Sequence, residues 1–215
     1  MLYLVSFRNN SNQRAHFSIF VPSAQQPEKG TLIHVVGAPM VGYRLEFKRN
    51  YTPGDSQQVK DYVPIGQVLA ANIVDSSPMA AAAIDTTARS NLERVAEQVR
   101  PPPISENFRA PVNGTTNKRC QEWTMEYVQR LVQVNYLNAA AIDIVQSKRD
   151  PPEFGIGLNP VGRGRGEGRG RGYGEAGPAG PAAPAQQVTA PGGWVLDTQY
   201  NAWKRPDGNG GWIWQ

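Results

Sequence analysis

The sequence predicts an α+β protein in which an antiparallel sheet comes first and helices pack on it afterwards. Three observations point there. Short β-rich runs follow one another through the first 63 residues with only brief polar connections, which favours a meander over βαβ units. Two stretches with a 3.6-residue apolar period come next. From Pro151 the composition turns to Gly, Pro, Ala and Arg, which marks the end of the folded core.

The first strand is Leu2 to Phe7, and the polar loop 9–13 closes it. Ala15-His16-Phe17-Ser18-Ile19-Phe20-Val21 is the second, ended by Pro22. Its period of two places His16, Ser18 and Phe20 on one face and Phe17, Ile19 and Val21 on the other. Thr31 to Val36 is the third, with Leu32, His34 and Val36 sharing a face. Tyr43 to Arg49 alternates, with Tyr43, Leu45 and Phe47 inward and Arg44, Glu46 and Lys48 toward water. Gln58 to Val63 is a fifth strand, Ile65 to Ile73 a short helix, and 75–83 a loop.

A helix is expected after Asp85-Thr86-Thr87, whose side-chain oxygens suit an N-cap, with Leu92, Val95, Ala96 and Val99 as its apolar stripe. Pro101-Pro102-Pro103 stops it. A longer helix runs from about Arg119 to Val134, with Trp123, Tyr127, Leu131 and Val134 at the helical period. Residues 138–146 form a third.

The domain reading follows: a core over 1–150, a disordered Gly/Arg/Pro/Ala-rich linker over 151–191, and a tryptophan-rich β-hairpin over 192–215. That last stretch holds Trp194, Trp203, Trp212 and Trp214, four of the five tryptophans, with turn chemistry at Pro206-Asp207-Gly208-Asn209-Gly210-Gly211.

Composition narrows the function classes. The formal charge is +4 and one cysteine stands in 215 residues, so no internal disulfide framework exists and a reducing, intracellular setting such as the cytoplasm is expected. No stretch has the length of a membrane span, and the N-terminal apolar run lacks the flanks of a signal peptide. Two histidines and one cysteine are too few and too scattered for a zinc site, so no metal or cofactor is expected. Arg163, Arg165, Arg169 and Arg171 face a single Glu167. They read as a flexible solubilising linker, or as a weak, salt-sensitive RNA contact helped by Tyr173. The tryptophan-rich tail reads as a protein contact.

The chemistry-bearing residues are Cys120, His16 and His34. Cys120 opens the long helix, where the macrodipole and unpaired N–H groups favour thiolate. Lying three residues before Trp123, it belongs to the inward face. A buried structural thiol and two satisfied core histidines are the plain alternative.

RAHFSIFVP, then TLIHVVGAP, then RCQEWTMEYVQRL resemble the motifs of the permuted NlpC/P60 papain-like superfamily. Within it they are most similar to the lecithin:retinol acyltransferase-like group and to small fungal proteins of uncharacterised function. The resemblance spans about residues 1–148. It implies a papain-like fold with Cys120 as nucleophile, His16 as base and His34 orienting or polarising His16. The activity it implies is a thiol hydrolase or acyltransferase acting on an acyl, amide or peptide bond through a thioester, with the Cys120 N–H donating to the oxyanion. Two positions depart from the pattern: Arg119 stands where Asn is usual before the nucleophile, and Phe17 where Trp is usual after the histidine. The alternative from another class is a catalytically idle scaffold whose arginine-rich and tryptophan-rich tail does the binding.

Overall fold

The computed structural model describes residues 1–8, 11–55, 59–77 and 79–155, and the strand backbones 189–190, 194–197, 202–206 and 212–214. The chain divides into two units, Met1–Asn159 and Pro160–Gln215.

The first unit is α+β. Its strands are β1 (Leu2–Phe7), β2 (His16–Pro22), β3 (Gly30–Ala38), β4 (Gly42–Tyr51), β5 (Val59–Gly66) and β6 (Ala83–Asp85). They form one sheet in the order β5-β1-β2-β3-β4-β6, and every pairing is antiparallel. Three helices follow: α1 (Asn91–Glu97), α2 (Cys120–Gln133) and α3 (Ala140–Lys148). α2 lies on β2 and β3 and carries the centre of the core. Trp123, Tyr127, Val128 and Leu131 are buried there against Phe17, Ile19, Ile33, Val35 and Phe47. Trp123 donates its indole N–H to the Val99 carbonyl at 3.0 Å, and Tyr127 its hydroxyl to Leu92 at 3.0 Å. The two polar aromatic tips are thus satisfied inside the core, as burial requires.

The opposite face of the sheet is not left to water. Val5, Phe20 and Leu32 form a second buried cluster, bordered by Tyr3, Phe7 and Tyr51, to which no helix contributes. The rings of Phe7 on β1 and Tyr51 on β4 come within 6.4 Å of each other. Three strand spacings in a flat sheet amount to about 14 Å. The sheet therefore bends concave toward this face, and its aromatic rims lean inward over β2 and β3. Glu46 is the clearest consequence. The alternation of β4 is as expected, but Glu46 is buried on this concave face and accepts from Arg44 Nε at 2.8 Å instead of pointing to water.

Two local expectations are corrected. Residues 65–73 do not form a helix: β5 runs on to Gly66, and only a single 3-10 turn, Ala70–Asn72, follows. The N-cap of α1 is Ser90, not the Asp85-Thr86-Thr87 group. Asp85 instead ends β6, accepts from the Thr87 N–H at 2.8 Å and pairs with Arg89 and Arg49. Ser90 and Glu93 make a capping box, in which each side chain accepts from the other's backbone N–H. Glu93 also takes both guanidinium nitrogens of buried Arg49, at 2.6 and 3.0 Å, and so ties β4 to α1. Burial alone would raise the Glu93 carboxyl, but the Arg49 bonds and the backbone N–H groups hold it below its ordinary value.

In the second unit, Thr189–Ala190 (β7), Trp194–Asp197 (β8), Ala202–Pro206 (β9) and Trp212–Trp214 (β10) pair antiparallel in the order β10-β9-β8-β7. Most of the expected linker, residues 156–188, lies outside the described residues, as does the expected turn at 206–211 apart from Pro206, which ends β9.

Trp123→Ala removes the largest buried side chain and the Val99 bond. It is expected to cost about 3–5 kcal/mol, read as a fall in the urea midpoint at unchanged slope; a loss under about 1 kcal/mol contradicts this account of the core.

Candidate active site

Cys120 is the first residue of α2, and its side chain points into the helix-facing core. Arg119 is the N-cap. A guanidinium has no acceptor, so only the return arm of a capping box exists: the Arg119 N–H donates to Glu122 Oε2 at 3.1 Å. The Arg119 side chain reaches away to the Phe108 carbonyl at 2.9 Å. The Cys120 thiol donates to the Ala15 carbonyl at 3.8 Å, and the residue is 9 % exposed.

That carbonyl belongs to a lock built by the next residue. Gln121, fully buried, donates from Nε2 to Ala15 O and Asp150 Oδ2, both at 2.8 Å. Its Oε1 accepts from Arg14 Nη2 and from the Asp150 N–H, both at 2.9 Å. All four bonding positions of the amide are used, so Gln121 has none left for an oxyanion. Glu122 Oε1 takes Arg14 at 2.9 Å and Arg149 at 2.6 Å. Asp150 also accepts from Arg8 and from the Ala15 N–H, at 2.7 and 2.8 Å. The start of β2, the first turn of α2 and the chain after α3 are clamped together. Nothing local in the sequence announces this. Arg14 and Gln121 lie 107 residues apart.

The electrostatics of Cys120 follow from this enclosure. Burial pushes the thiol up to about 11. Nearby Glu122 adds to the rise, while the Phe17 and Gln121 N–H groups and Arg14 oppose it without offsetting it. Tyr43, packed against the same core, is raised by burial and then by Cys120. Desolvation thus works against the thiolate that the helix terminus favours.

The two histidines are brought together, but elsewhere. His16 Nε2 and His34 Nδ1 are 2.9 Å apart, with their rings near perpendicular. Both sit on the concave face: His16 pairs with Phe7 across β1–β2 and its ring lies 6.0 Å from that of Phe7. Phe17, the next residue on β2, belongs to the Cys120 side. The sheet thus stands between thiol and imidazoles. The expected Cys120–His16 pairing is not made, because the residue of β2 that faces α2 is Phe17.

His34 is 2 % exposed and, among the described residues, its Nε2 has no hydrogen-bond partner. An orphaned acceptor is tolerated better than an orphaned N–H, so the tautomer with His34 Nδ1 donating to His16 Nε2 is favoured. Ser18 Oγ, buried on the same face, likewise has no partner among the described residues. Burial first, then the Lys48 ammonium, pulls His16 down to about 4. Burial, His16 and Lys48 take His34 well below its ordinary value. Both are neutral at pH 7.

Arg163, Arg165, Arg169 and Arg171 lie outside the described residues. Among the described residues no group of three or more His, Cys, Asp or Glu is placed to hold a metal ion, and no helix is long and apolar enough to cross a membrane.

The comparisons with known proteins meet the fold at the sheet and its first two helices. Residues 2–138 match the family of unknown function DUF6540. The match runs from β1 through α2, so it takes in His16, His34 and Cys120. The chain belongs to this family. No significant match is found among curated proteins or solved structures.

The buried histidines set a pH dependence. Their folded-state values lie below the unfolded value near 6.5, so the unfolded chain binds protons first as pH falls. Stability is expected to be level above about pH 6.5 and to fall below it, by up to about 1.4 kcal/mol per pH unit for each histidine. The carboxylates Asp85, Glu93 and Asp150, all held low, add their losses only nearer pH 4. Urea unfolding between pH 4.5 and 7 measures this slope; a flat profile contradicts the neutral buried pair.

Proposed function

We propose that this protein is a binding module built on a permuted papain-like scaffold, with Cys120 serving as a structural thiol. The order of elements supports the scaffold: a histidine strand, a second histidine strand, then a cysteine at the first turn of a helix packed on both. The observation that carries the idle reading is the direction of the thiol. It donates to the Ala15 carbonyl in the α2-facing core while His16 bonds His34 on the concave face. Nucleophilic catalysis needs thiolate and base within hydrogen-bond reach, and a thiol near 11 leaves very little thiolate at neutral pH.

Binding would then rest on surfaces: the arginine segment toward RNA, and the tryptophan-rich end toward proteins. The second reading, a thiol hydrolase or acyltransferase working through a thioester, is favoured by one observation, the Phe17 and Gln121 N–H groups at the sulfur. It requires the thiol to leave Ala15 and an imidazole to cross the sheet.

A thiol-reactive acyl probe distinguishes the two. Native protein at pH 7.5 is expected to label at least a hundredfold more slowly than the same chain in urea, and His16→Ala is expected to leave the native rate unchanged. Rapid native labelling that His16→Ala abolishes would establish the enzyme reading instead.

A further inference from the structure

A groove of about 480 Å³ opens beside the first strand, with none of Cys120, His16 and His34 in its lining. Its walls include Tyr3, Tyr62, Pro22, Pro27 and Ile73, and Asp75 supplies its one charged side chain, with Met1 at another part of the lining. Tyr3 and Tyr62 stack with ring centroids 4.3 Å apart and planes 15° from parallel. Tyr62 is 43 % exposed although it is aromatic. Burial and then Tyr3 push the Tyr62 hydroxyl up to about 12, so it remains a donor. Asp75 Oδ2 accepts from the Ala24 N–H at 2.9 Å, which pins the carboxylate to the groove wall. Asp75 makes no ion pair among the described residues.

We propose that this groove binds a proline-rich peptide in the polyproline II conformation, with a basic flanking residue seated on Asp75. The chemistry fits at three points. Stacked aromatic rings beside prolines give the flat apolar surface that pyrrolidine rings pack on. A polyproline II backbone makes no internal hydrogen bonds, so its carbonyls are open to a phenolic donor such as Tyr62. The single unpaired carboxylate selects a positive charge at one end, where Arg is suited to bidentate pairing.

The chain's own sequence contains the pattern. Pro178, Pro181 and Pro184 recur every third residue, and Arg169 and Arg171 precede them. Three residues make one turn of polyproline II, so a peptide of this spacing bound in that conformation would present its three prolines along one edge. This sequence supplies a probe to be offered in trans. The proposal stands whether or not Cys120 is a nucleophile.

The test is fluorescence anisotropy with a labelled peptide of residues 168–186. The titrated protein is the full chain with Pro178, Pro181 and Pro184 changed to Ala, so that no copy of the motif competes. Saturable binding is expected. Tyr62→Ala is expected to weaken it at least fivefold, and Tyr62→Phe by less, with circular dichroism unchanged. Asp75→Asn keeps the acceptor for Ala24 and is expected to weaken the arginine-bearing peptide at least fivefold. The same substitution is expected to leave a peptide with both arginines changed to Ala unaffected. No binding up to about 1 mM, equal affinity for a shuffled peptide, or indifference to Tyr62→Ala or Asp75→Asn overturns the proposal.

Discussion

The pleat of β2 is the constraint on which the candidate site depends. Neighbouring residues of a strand face opposite ways, so His16 and Phe17 cannot both meet α2. Phe17, Ile19 and Val21 fill the core under the helix, and their combined burial fixes the register. A slip of one residue would bring His16 under Cys120, but it would turn three large apolar side chains to the wrong face. Each such side chain is worth roughly 1.5–3 kcal/mol when buried, and no single thiol–imidazole contact offsets that. The separation of Cys120 from the histidines is thus a consequence of packing.

The lock at the first turn of α2 holds the other side of this arrangement. Ala15, one residue ahead of His16, has its N–H on Asp150 and its carbonyl on Gln121 and Cys120. Arg14 adds Gln121 and Glu122. The strand is pinned at the point where it would have to move for His16 to approach the thiol. Asp150, the last residue of the expected core, is held by Arg8, Ala15 and Gln121, and contacts continue just past it into the expected linker: the Pro152 carbonyl accepts from the Val112 N–H, and Arg8 lies over the Phe154 ring.

The fold was largely legible in the sequence. β-rich runs at 2–7 and 15–21 and the alternation in 43–49 marked three strands, and the spacing of Trp123, Tyr127 and Leu131 marked α2, whose core-facing stripe shows as a helical period. What was not legible depended on contacts across the chain. Asp85 resembled an N-cap, yet Arg49 and Arg89 draw it into β6. Glu46 had the pattern of a solvated charge, but the curl of the sheet buries the second face, which no period-two reading of β4 shows. The site was half legible. The two histidine faces were read correctly as sharing a side with Phe20 and Leu32, and Cys120 as facing inward. That these are two different sides of one sheet follows only from which face the helix covers.

The acidity of Cys120 tests the account most directly. Its Cβ chemical shift, followed by NMR as pH is raised in wild type and in His16→Gln, reports thiol ionisation at the site itself. A midpoint near 11, the same in both proteins, is the predicted result. A midpoint below 8 that moves upward when His16 is replaced would contradict it, and would place the imidazole beside the sulfur.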